Sequence, residues 1–242
     1  MKPRLQKAIR NNNGLYEALF NSRQIKFSRT DSIWYSTEQT PPLYSNLVTL
    51  SSEWKPDAVF RAIDLHYEKE KWDEWSLKDS FGVLDLRAEG FAKLFDAQWV
   101  YLDAASFIPG SAEHDLSFAI LTREDALAAW SRAWDDDERL GEELFDAKLL
   151  NNQKVHFVAG YSKAELVCGC LVNQTDDVLG ISNLFAPGAD VGYWSGLIDF
   201  IRGAIARLDI VGYERHETAE RLRRLGFEPI GKLTVWLKKR ET

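Results

Sequence analysis

Three β-like segments follow one another near the middle of the chain, with only short turns between them. "KVHFVAGY" (154–161) and "AELVCGCLVN" (164–173) are joined at Ser162-Lys163, and "VLGISNLF" (178–185) follows a turn at 174–177. Strands joined by such short connections pair antiparallel. A plain doubly wound parallel sheet needs a helix between successive strands, so these segments exclude that fold and predict a mixed α/β sheet.

Beyond the third segment the pattern changes to alternating helices and strands. A glycine-bearing turn begins at Ala186-Pro187-Gly188. Apolar periodicity then predicts a helix, a strand, a helix ended by Gly226 and a final strand, over 193–207, 209–213, 216–227 and 232–238. We therefore expect an antiparallel meander followed by a helical crossover to further strands.

The N-terminal half predicts a similar mixture of elements. These are a helix over 1–22 with an Asn-rich break, strands over 32–37 and 43–51, a helix over 55–71, a strand over 72–80, a short helix over 82–91, strands over 97–106 and 117–121, a helix from an N-cap at Thr122 to Trp134, and a helix over 137–152. A weak internal repeat links "RAEGFAKLFDAQWVYLD" (87–103) with "RRLGFEPIGKLTVWLKK" (223–239). The repeat indicates either a duplicated unit or two ordinary helix ends, each followed by a strand.

The charge balance of the chain restricts its partners. The 242 residues include 30 Lys and Arg against 37 Asp and Glu, a net charge of −7. Nucleic acids and anionic membranes need a basic face, so neither is expected as a partner. Neither a membrane helix nor the apolar core of a signal peptide is evident, and we expect a cytoplasmic protein. Cys168 and Cys170 are expected to be reduced and buried, and no cluster of ligands indicates a metal site.

The turn after residue 185 is the strongest candidate for a ligand site. A strand, a glycine-bearing turn and a helix N-terminus commonly form a phosphate cradle, because backbone N–H groups and the helix dipole favour an anion. Gly188, Gly192 and Gly196 are present here, but the turn has no Arg or Lys and carries Trp194-Ser195 between its glycines. The pattern fits a phosphate cradle without its cation, and it also fits an ordinary strand–helix connection.

The order of elements from 117 to 238 resembles the GNAT acetyltransferase superfamily. The segment "AERLRRLGFEPIG" is very like the family's end-of-domain signature, a short helix that terminates in Leu-Gly-Phe. The N-terminal half resembles the partial second copy of tandem members, with "PPLYSNLVTL" and "WDEWSLKDS" in the expected order. The resemblance implies a mixed α/β, GNAT-like acyl-CoA N-acyltransferase fold, with a partial GNAT-like half at 1–111 and a GNAT-like domain at 112–242 that share one sheet.

In this family the turn binds the pyrophosphate of coenzyme A through a pattern Arg/Gln-x-x-Gly-x-Gly/Ala. On this chain the Arg position of the pattern falls at Val191, the middle Gly at Trp194 and the last small residue at Gly196. The resemblance also implies that backbone N–H groups at the end of the preceding strand polarise the thioester carbonyl. The expected contacts with coenzyme A are Leu184, Phe185, Val191, Gly192, Tyr193, Trp194, Ser195 and Gly196.

The frequent catalytic acid of the family, a Tyr three residues before Leu-Gly-Phe, is replaced here by Leu222. Leucine has no proton to donate, so another residue must act. His216, close to Glu214 after the strand at 209–213, is the candidate catalytic residue because imidazole titrates near neutral pH. His216 also fits a simpler role as a residue at the start of a helix.

The resemblance implies an acyl-CoA-dependent N-acyltransferase, with acetyl-CoA as co-substrate and a small amine or amino-acid-like acceptor that attacks directly. The missing Arg and Tyr also fit a catalytically silent GNAT-like protein that binds a ligand or a partner. A third alternative is a transferase that uses another acyl carrier. The aromatic-rich composition could support a homodimer.

Overall fold

The computed structural model of the protein describes residues 3–108, 115–135, 140 and 144–240. Over these residues eleven strands form one sheet. The strands are β1 (Ser28–Arg29), β2 (Ile33–Tyr35), β3 (Leu47–Thr49), β4 (Glu74–Asp79), β5 (Ala92–Leu102), β6 (Ser117–Ile120), β7 (Val155–Ser162), β8 (Glu165–Thr175), β9 (Val178–Phe185), β10 (Asp209–Glu214) and β11 (Glu228–Lys239). The α-helices of the same residues are α1 (Pro3–Ser22), α2 (Ala58–Glu70), α3 (Glu124–Trp134), α4 (Val191–Ala204) and α5 (His216–Arg223). The mixed α/β prediction is confirmed.

The strand order is similar on the two sides of a central pair, with one additional strand, β6, at one edge. It runs β1-β2-β3-β4-β11-β5-β10-β9-β8-β7-β6, with β11 and β5 adjacent in the middle. On one side β3 and β4 are parallel and are connected through α2; on the other side β9 and β10 are parallel and are connected through α4. The same strand–helix–strand crossover thus occurs once in each half of the chain.

Each half contributes its last strand to the other half of the sheet. β5, from the N-terminal half, pairs with β10, whereas β11, from the C-terminal half, pairs with β4. The two segments of the internal repeat lead into these exchanged strands, and both pass through a glycine with positive φ, Gly90 at 82° and Gly226 at 94°. The predicted domain division between residues 111 and 112 lies outside the described residues and stays a prediction.

The helices cover both faces of the sheet. Ile210 and Val211, adjacent on β10, point to opposite faces, as alternation along a strand requires. Ile210 packs in a core with residues of α4 and α5, whereas Val211 packs in a core with residues of α1. α3 lies on the α1 face, because Trp130 shares a core with Leu15 of α1. The face that carries α1 and α3 is called the α1 face below.

Helix α1 is continuous, which corrects the predicted break in its Asn-rich segment. Asn11 and Asn13 are buried in the middle of the helix. The side chain of Asn11 donates to the carbonyl oxygen of Asn173 on β8 (3.1 Å), and the side chain of Asn173 donates back to the carbonyl oxygen of Asn11 (3.0 Å). These asparagines therefore fix the helix to the sheet, since a buried amide is stable only when it is hydrogen-bonded.

Other boundaries also differ from the predictions. The helix expected over 82–91 is a single 3-10 turn, Arg87–Glu89. The buried carboxylate of Asp79 accepts hydrogen bonds from the N–H groups of Phe81, Val83 and Leu84, and these bonds fix the preceding loop in a non-helical conformation. α3 begins at Glu124 after Arg123, and Thr122 is not its N-cap. The helix expected over 137–152 falls partly on 137–139 and 141–143, outside the described residues, and its described end is a 3-10 turn, Ala147–Asn151.

Two further expectations concern thiols and membranes. Cys168 and Cys170 are free and buried, as predicted, and burial raises the pKa of the Cys168 thiol to about 12. None of the described helices has the length and apolar character that crossing a lipid bilayer requires.

The Asn11–Asn173 contact explains why Gly180 on β9 must be glycine. An added Cβ at this position would overlap the side-chain oxygens of both asparagines. We expect Gly180→Ala to lower the free energy of unfolding by ~1–3 kcal/mol through overpacking, measured by urea denaturation. Gly203→Ala is the matched control, because no atom lies within 4 Å of its added Cβ in α4. The control should gain up to ~1 kcal/mol; equal effects of the two substitutions would contradict the asparagine contact.

Candidate functional site

The parallel strands β9 and β10 pair over only part of their lengths. Hydrogen-bonded partners run from Val178–Gly180 on β9 and Asp209–Val211 on β10. Both strands continue, to Phe185 and Glu214, without further pairing to each other. The backbone groups of residues 181–185 that face β10 therefore lack a strand partner. Backbone N–H and C=O groups without a protein partner form hydrogen bonds with water or with a ligand.

A β-bulge on the other side of β9 adds to this opening. Ser182 pairs with Leu171 of β8 and Phe185 pairs with Gly169, so Asn183 and Leu184 together face the single residue between them on β8. Asn183 has a left-handed φ of 52°. A bulge redirects the backbone and frequently lies beside an active site.

Leu184 and Phe185, both expected to polarise a thioester through their N–H groups, differ in position. Leu184 is in the bulge and lines a cavity at the divergence. Phe185 remains paired with β8, and its ring packs edge-on against Trp130, with 5.3 Å between ring centroids. Of these two residues, Leu184 and not Phe185 therefore lines the cavity at the divergence.

The divergence opens into two adjoining cavities on the α1 face. The smaller cavity, about 290 Å³, is lined by residues of α1, β9 and β10. The larger cavity, about 1010 Å³, extends along the sheet to β4 and β11. Both are lined by the same five residues, Leu43, Tyr44, Trp134, Tyr213 and Glu214. They form one continuous cleft that joins the two halves of the chain.

Glu214, the last residue of β10, is the principal titratable group where the cavities meet. Its side chain is half-buried, and burial raises the pKa of its carboxyl from 4.5 to about 7. A carboxyl with a pKa near 7 can take a proton from a substrate and release it again at neutral pH. In the sequence, Glu214 stands out only as a neighbour of His216. Its place beside the strand divergence, in the lining of both cavities, is visible only in the structure.

His216, the predicted catalytic residue, lies elsewhere. It is the exposed first residue of α5 and lines a separate groove of about 500 Å³ with residues such as Lys232 and Trp236. Trp236 packs in the core beneath α2, on the face opposite α1. His216 thus lies away from the cleft, and its catalytic role stays a prediction.

A carboxylate of the chain itself caps the N-terminus of α4, where the phosphate cradle is predicted. Asp190 is the N-cap of α4, and its side chain accepts the N–H of Gly192 at 2.7 Å. The N–H groups of Ala189 and Asp190 donate to the carbonyl oxygens of Ala186 and Pro187, at 3.1 and 3.2 Å. Three backbone donors of the predicted phosphate cradle are thus already engaged.

A cation reaches the same turn from another helix. Arg221 on α5 donates to the carbonyl oxygens of Gly188 and Ala189, both at 3.0 Å, and pairs with Glu217 at 3.1 Å. Arg221 is not predictable from the sequence as a site residue, because its contact with the turn depends on how α4 and α5 pack. The charge absent at Val191 is therefore supplied in part from α5.

The remaining residues of the predicted coenzyme turn belong mainly to the core. Trp194 is 1% exposed and packs among the apolar residues beneath α4, and Ser195 is buried. Val191 and Tyr193 are half-buried against the same core. Gly196 admits the ring of Phe118, since an added Cβ would lie 2.7 Å from that ring. Packing explains this glycine without any approach of a phosphate.

The comparisons with known proteins identify the class of fold. No protein-family model and no curated protein matches the sequence. Among solved structures, a GCN5-related N-acetyltransferase from Kribbella flavida is 14% identical, with a TM-score of 0.67, over 97% of this chain and 96% of that chain.

Two further solved structures are similar over most of both chains. A functionally unknown conserved protein from Staphylococcus epidermidis ATCC 12228 is 13% identical, with a TM-score of 0.67, over 92% of this chain and 98% of that chain. A GNAT-family acetyltransferase from Novosphingobium aromaticivorans DSM 12444 is 11% identical, with a TM-score of 0.51, over 93% and 96%. The chain therefore has the fold of the GCN5-related N-acetyltransferases, as its sequence resemblance implied.

The raised pKa of Glu214 predicts a pH dependence of stability. The folded state holds this proton up to about pH 7, whereas the unfolded state releases it near pH 4.5. Stability from this group is therefore fully present below pH 4.5 and is lost as the pH rises through about 7. Urea denaturation of the wild type against Glu214→Gln should reveal this loss as a difference confined to that range. Parallel stability profiles of the two proteins would show that Glu214 titrates normally.

Proposed function

We propose that the chain is an acyl-CoA-dependent N-acyltransferase that uses acetyl-CoA and acylates a small amine or amino-acid-like acceptor. The observation that carries the proposal is the divergence of β9 from β10 beside a bulge, with Glu214 at the mouth of the cleft. Bound acetyl-CoA would supply an acyl group activated as a thioester. Backbone N–H groups of β9 that face β10 beyond Gly180 are the candidates to stabilise negative charge on its carbonyl oxygen.

Two side chains of β10 are suited to the proton transfers. Glu214 would accept the proton of the attacking amine, which must be neutral to act as a nucleophile. Tyr213 lines both cavities, and its hydroxyl oxygen accepts a hydrogen bond from Lys78 at 3.2 Å. The proton of that hydroxyl is thereby free to point elsewhere, and Tyr213 would supply the proton that the departing sulfur needs. The family position Leu222 is buried in the core.

The fit to coenzyme A differs between the two ends of that molecule. The divergence suits the arm that carries the thioester, because it leaves backbone donors open along β9. The α4 N-terminus suits a diphosphate less well, because the Asp190 carboxylate already caps it. Arg221 offsets that charge in part. This mismatch favours the second candidate function, a catalytically silent protein that binds a ligand in the same cleft.

Calorimetry with coenzyme A on the wild type and on Asp190→Asn tests the diphosphate position. Asparagine caps a helix as well as aspartate does, so the substitution removes only the charge. We expect coenzyme A to bind the variant about five-fold more tightly, which corresponds to ~1 kcal/mol of relieved repulsion. S-acetylpantetheine, which lacks the diphosphate, should bind both proteins equally. No binding of acetyl-CoA at millimolar concentration would end the transferase proposal in favour of the silent protein.

Steady-state acetyl transfer to a panel of small amines tests the base. Glu214→Gln should lower kcat/KM by ~10²–10⁴-fold and abolish the rise in rate through about pH 7. Glu220→Gln is the matched control, because Glu220 is exposed on α5 and pairs with Arg223 at 3.0 Å. His216→Asn decides between the two candidate residues: if it removes the pH-dependent rise and Glu214→Gln does not, the base is His216.

A further inference from the structure

A lysine lies in the wall of the larger cavity without an anionic partner. Lys78 is on β4 and is 1% exposed, yet it lines that cavity. Its ammonium group donates to the side-chain oxygen of Asn12 at 3.1 Å and to the hydroxyl of Tyr213 at 3.2 Å. An ammonium has three N–H donors, and Tyr16 is a further side-chain hydrogen-bond partner, so three neutral groups surround the ammonium and none of them supplies a negative charge.

The surroundings of Lys78 favour its charged form. The ammonium nitrogen lies 4.7 Å from the ring centroid of Tyr16 and 4.3 Å from that of Tyr213, at cation–π distance. Burial acts to lower the pKa of Lys78, but the interactions with the two tyrosines outweigh burial and raise the pKa. The two rings and the hydrogen-bonding oxygens thus surround the ammonium group beside the cavity.

A second largely buried lysine, Lys238, has the carboxylate partner that Lys78 lacks among the described residues. Lys238 also lies over two rings, those of Tyr67 and Phe91, and its side chain is largely buried. It pairs with the Asp64 carboxylate at 2.7 Å. In the described part of the chain no carboxylate pairs with Lys78, whose partners are neutral oxygens and rings. Buried charges are costly unless they are paired, and no described side chain supplies the anion, which makes the carboxylate of a bound ligand the candidate partner of Lys78.

The cavity around Lys78 has the size and character for a small organic acid. Its walls include the aromatic residues Tyr44, Phe95 and Trp134. Glu214 lines the same cavity from β10, so a group that accepts a proton and a group that binds an anion face one volume of about 1010 Å³. A compound with a carboxylate, an amine and an apolar body matches this arrangement.

We propose that Lys78 binds the carboxylate of the acyl acceptor, and that the acceptor is an amino acid with an apolar or aromatic side chain. The carboxylate site itself stands on the geometry of Lys78 alone. Only the identification of the bound compound as the acyl acceptor rests on the proposed function.

Ligand binding without any acyl-CoA tests the carboxylate site on the wild-type protein. The compounds are L-phenylalanine, L-tryptophan and L-leucine, each against its decarboxylated amine (phenethylamine, tryptamine and isoamylamine), with 3-phenylpropanoate as a carboxylate that lacks the amine. Calorimetry should find the carboxylates bound, and the amines weaker by ~10- to 100-fold, the cost of losing a hydrogen bond to a charged group. Amines that bind as tightly as the amino acids, or carboxylates that do not bind, would overturn the proposal.

Lys78→Met tests the role of the residue itself, with Lys238→Met as the matched control. Lys78→Met should remove the preference for carboxylates while leaving the unliganded protein as stable as the wild type or more stable, since an apolar replacement of an unpaired buried charge is often stabilising. Lys238→Met should keep the preference. Retained selectivity in Lys78→Met would refute the assignment. If that variant does not fold, the wild-type comparison decides alone; if carboxylates bind but no acyl transfer occurs, only the proposed function fails.

Discussion

The incomplete pairing of β9 with β10 is the constraint on which the rest of the structure depends. Adjacent parallel strands normally pair along their common length, because buried backbone groups are costly when unpaired. Here pairing stops after Gly180 and Val211. The next residue of β10 is Gly212, whose added Cβ would lie 2.8 Å from the carbonyl oxygen of Ile181. The strands are thus in close contact where they begin to separate, and the cleft opens directly beyond that point.

The exchange of β5 and β11 makes the cleft a joint product of both halves of the chain. β4 and β10 are three strand positions apart, or about 14 Å at ordinary strand spacing. Lys78 and Tyr213 nevertheless meet at 3.2 Å, because both side chains are long and extend over the intervening strands on the α1 face. Ala97 on β5 lines the same cavity, and its small side chain leaves room above the sheet. A C-terminal half alone would possess the divergence but not the lysine.

Sequence reasoning succeeded where local pattern determines structure. The strands over 154–185 and the later crossover were predictable because apolar alternation and turn residues act locally. The strand exchange was not predictable, since nothing in β5 or β11 specifies which half of the sheet each joins. The Asn-rich segment predicts a helix break when only the sequence is considered, because Asn173, the partner of the buried Asn11, is remote in sequence. The glycines of the predicted phosphate turn were likewise ambiguous. Glycine is needed both where a phosphate approaches the backbone and where a ring packs against it, as the ring of Phe118 does at Gly196.

The two departures from the family pattern have a common physical explanation. Val191 packs against the core beneath α4, and Leu222 is buried in that core, so neither position faces the cleft. An ionisable side chain at position 222 would have to be desolvated among apolar neighbours, and one at position 191 would lie against the same core. Arg221 contacts the α4 turn from α5, and Tyr213 faces the cleft from β10. Groups suited to the proposed acyl transfer therefore lie at positions that line the cleft or contact the α4 turn, and the motif positions alone do not reveal them.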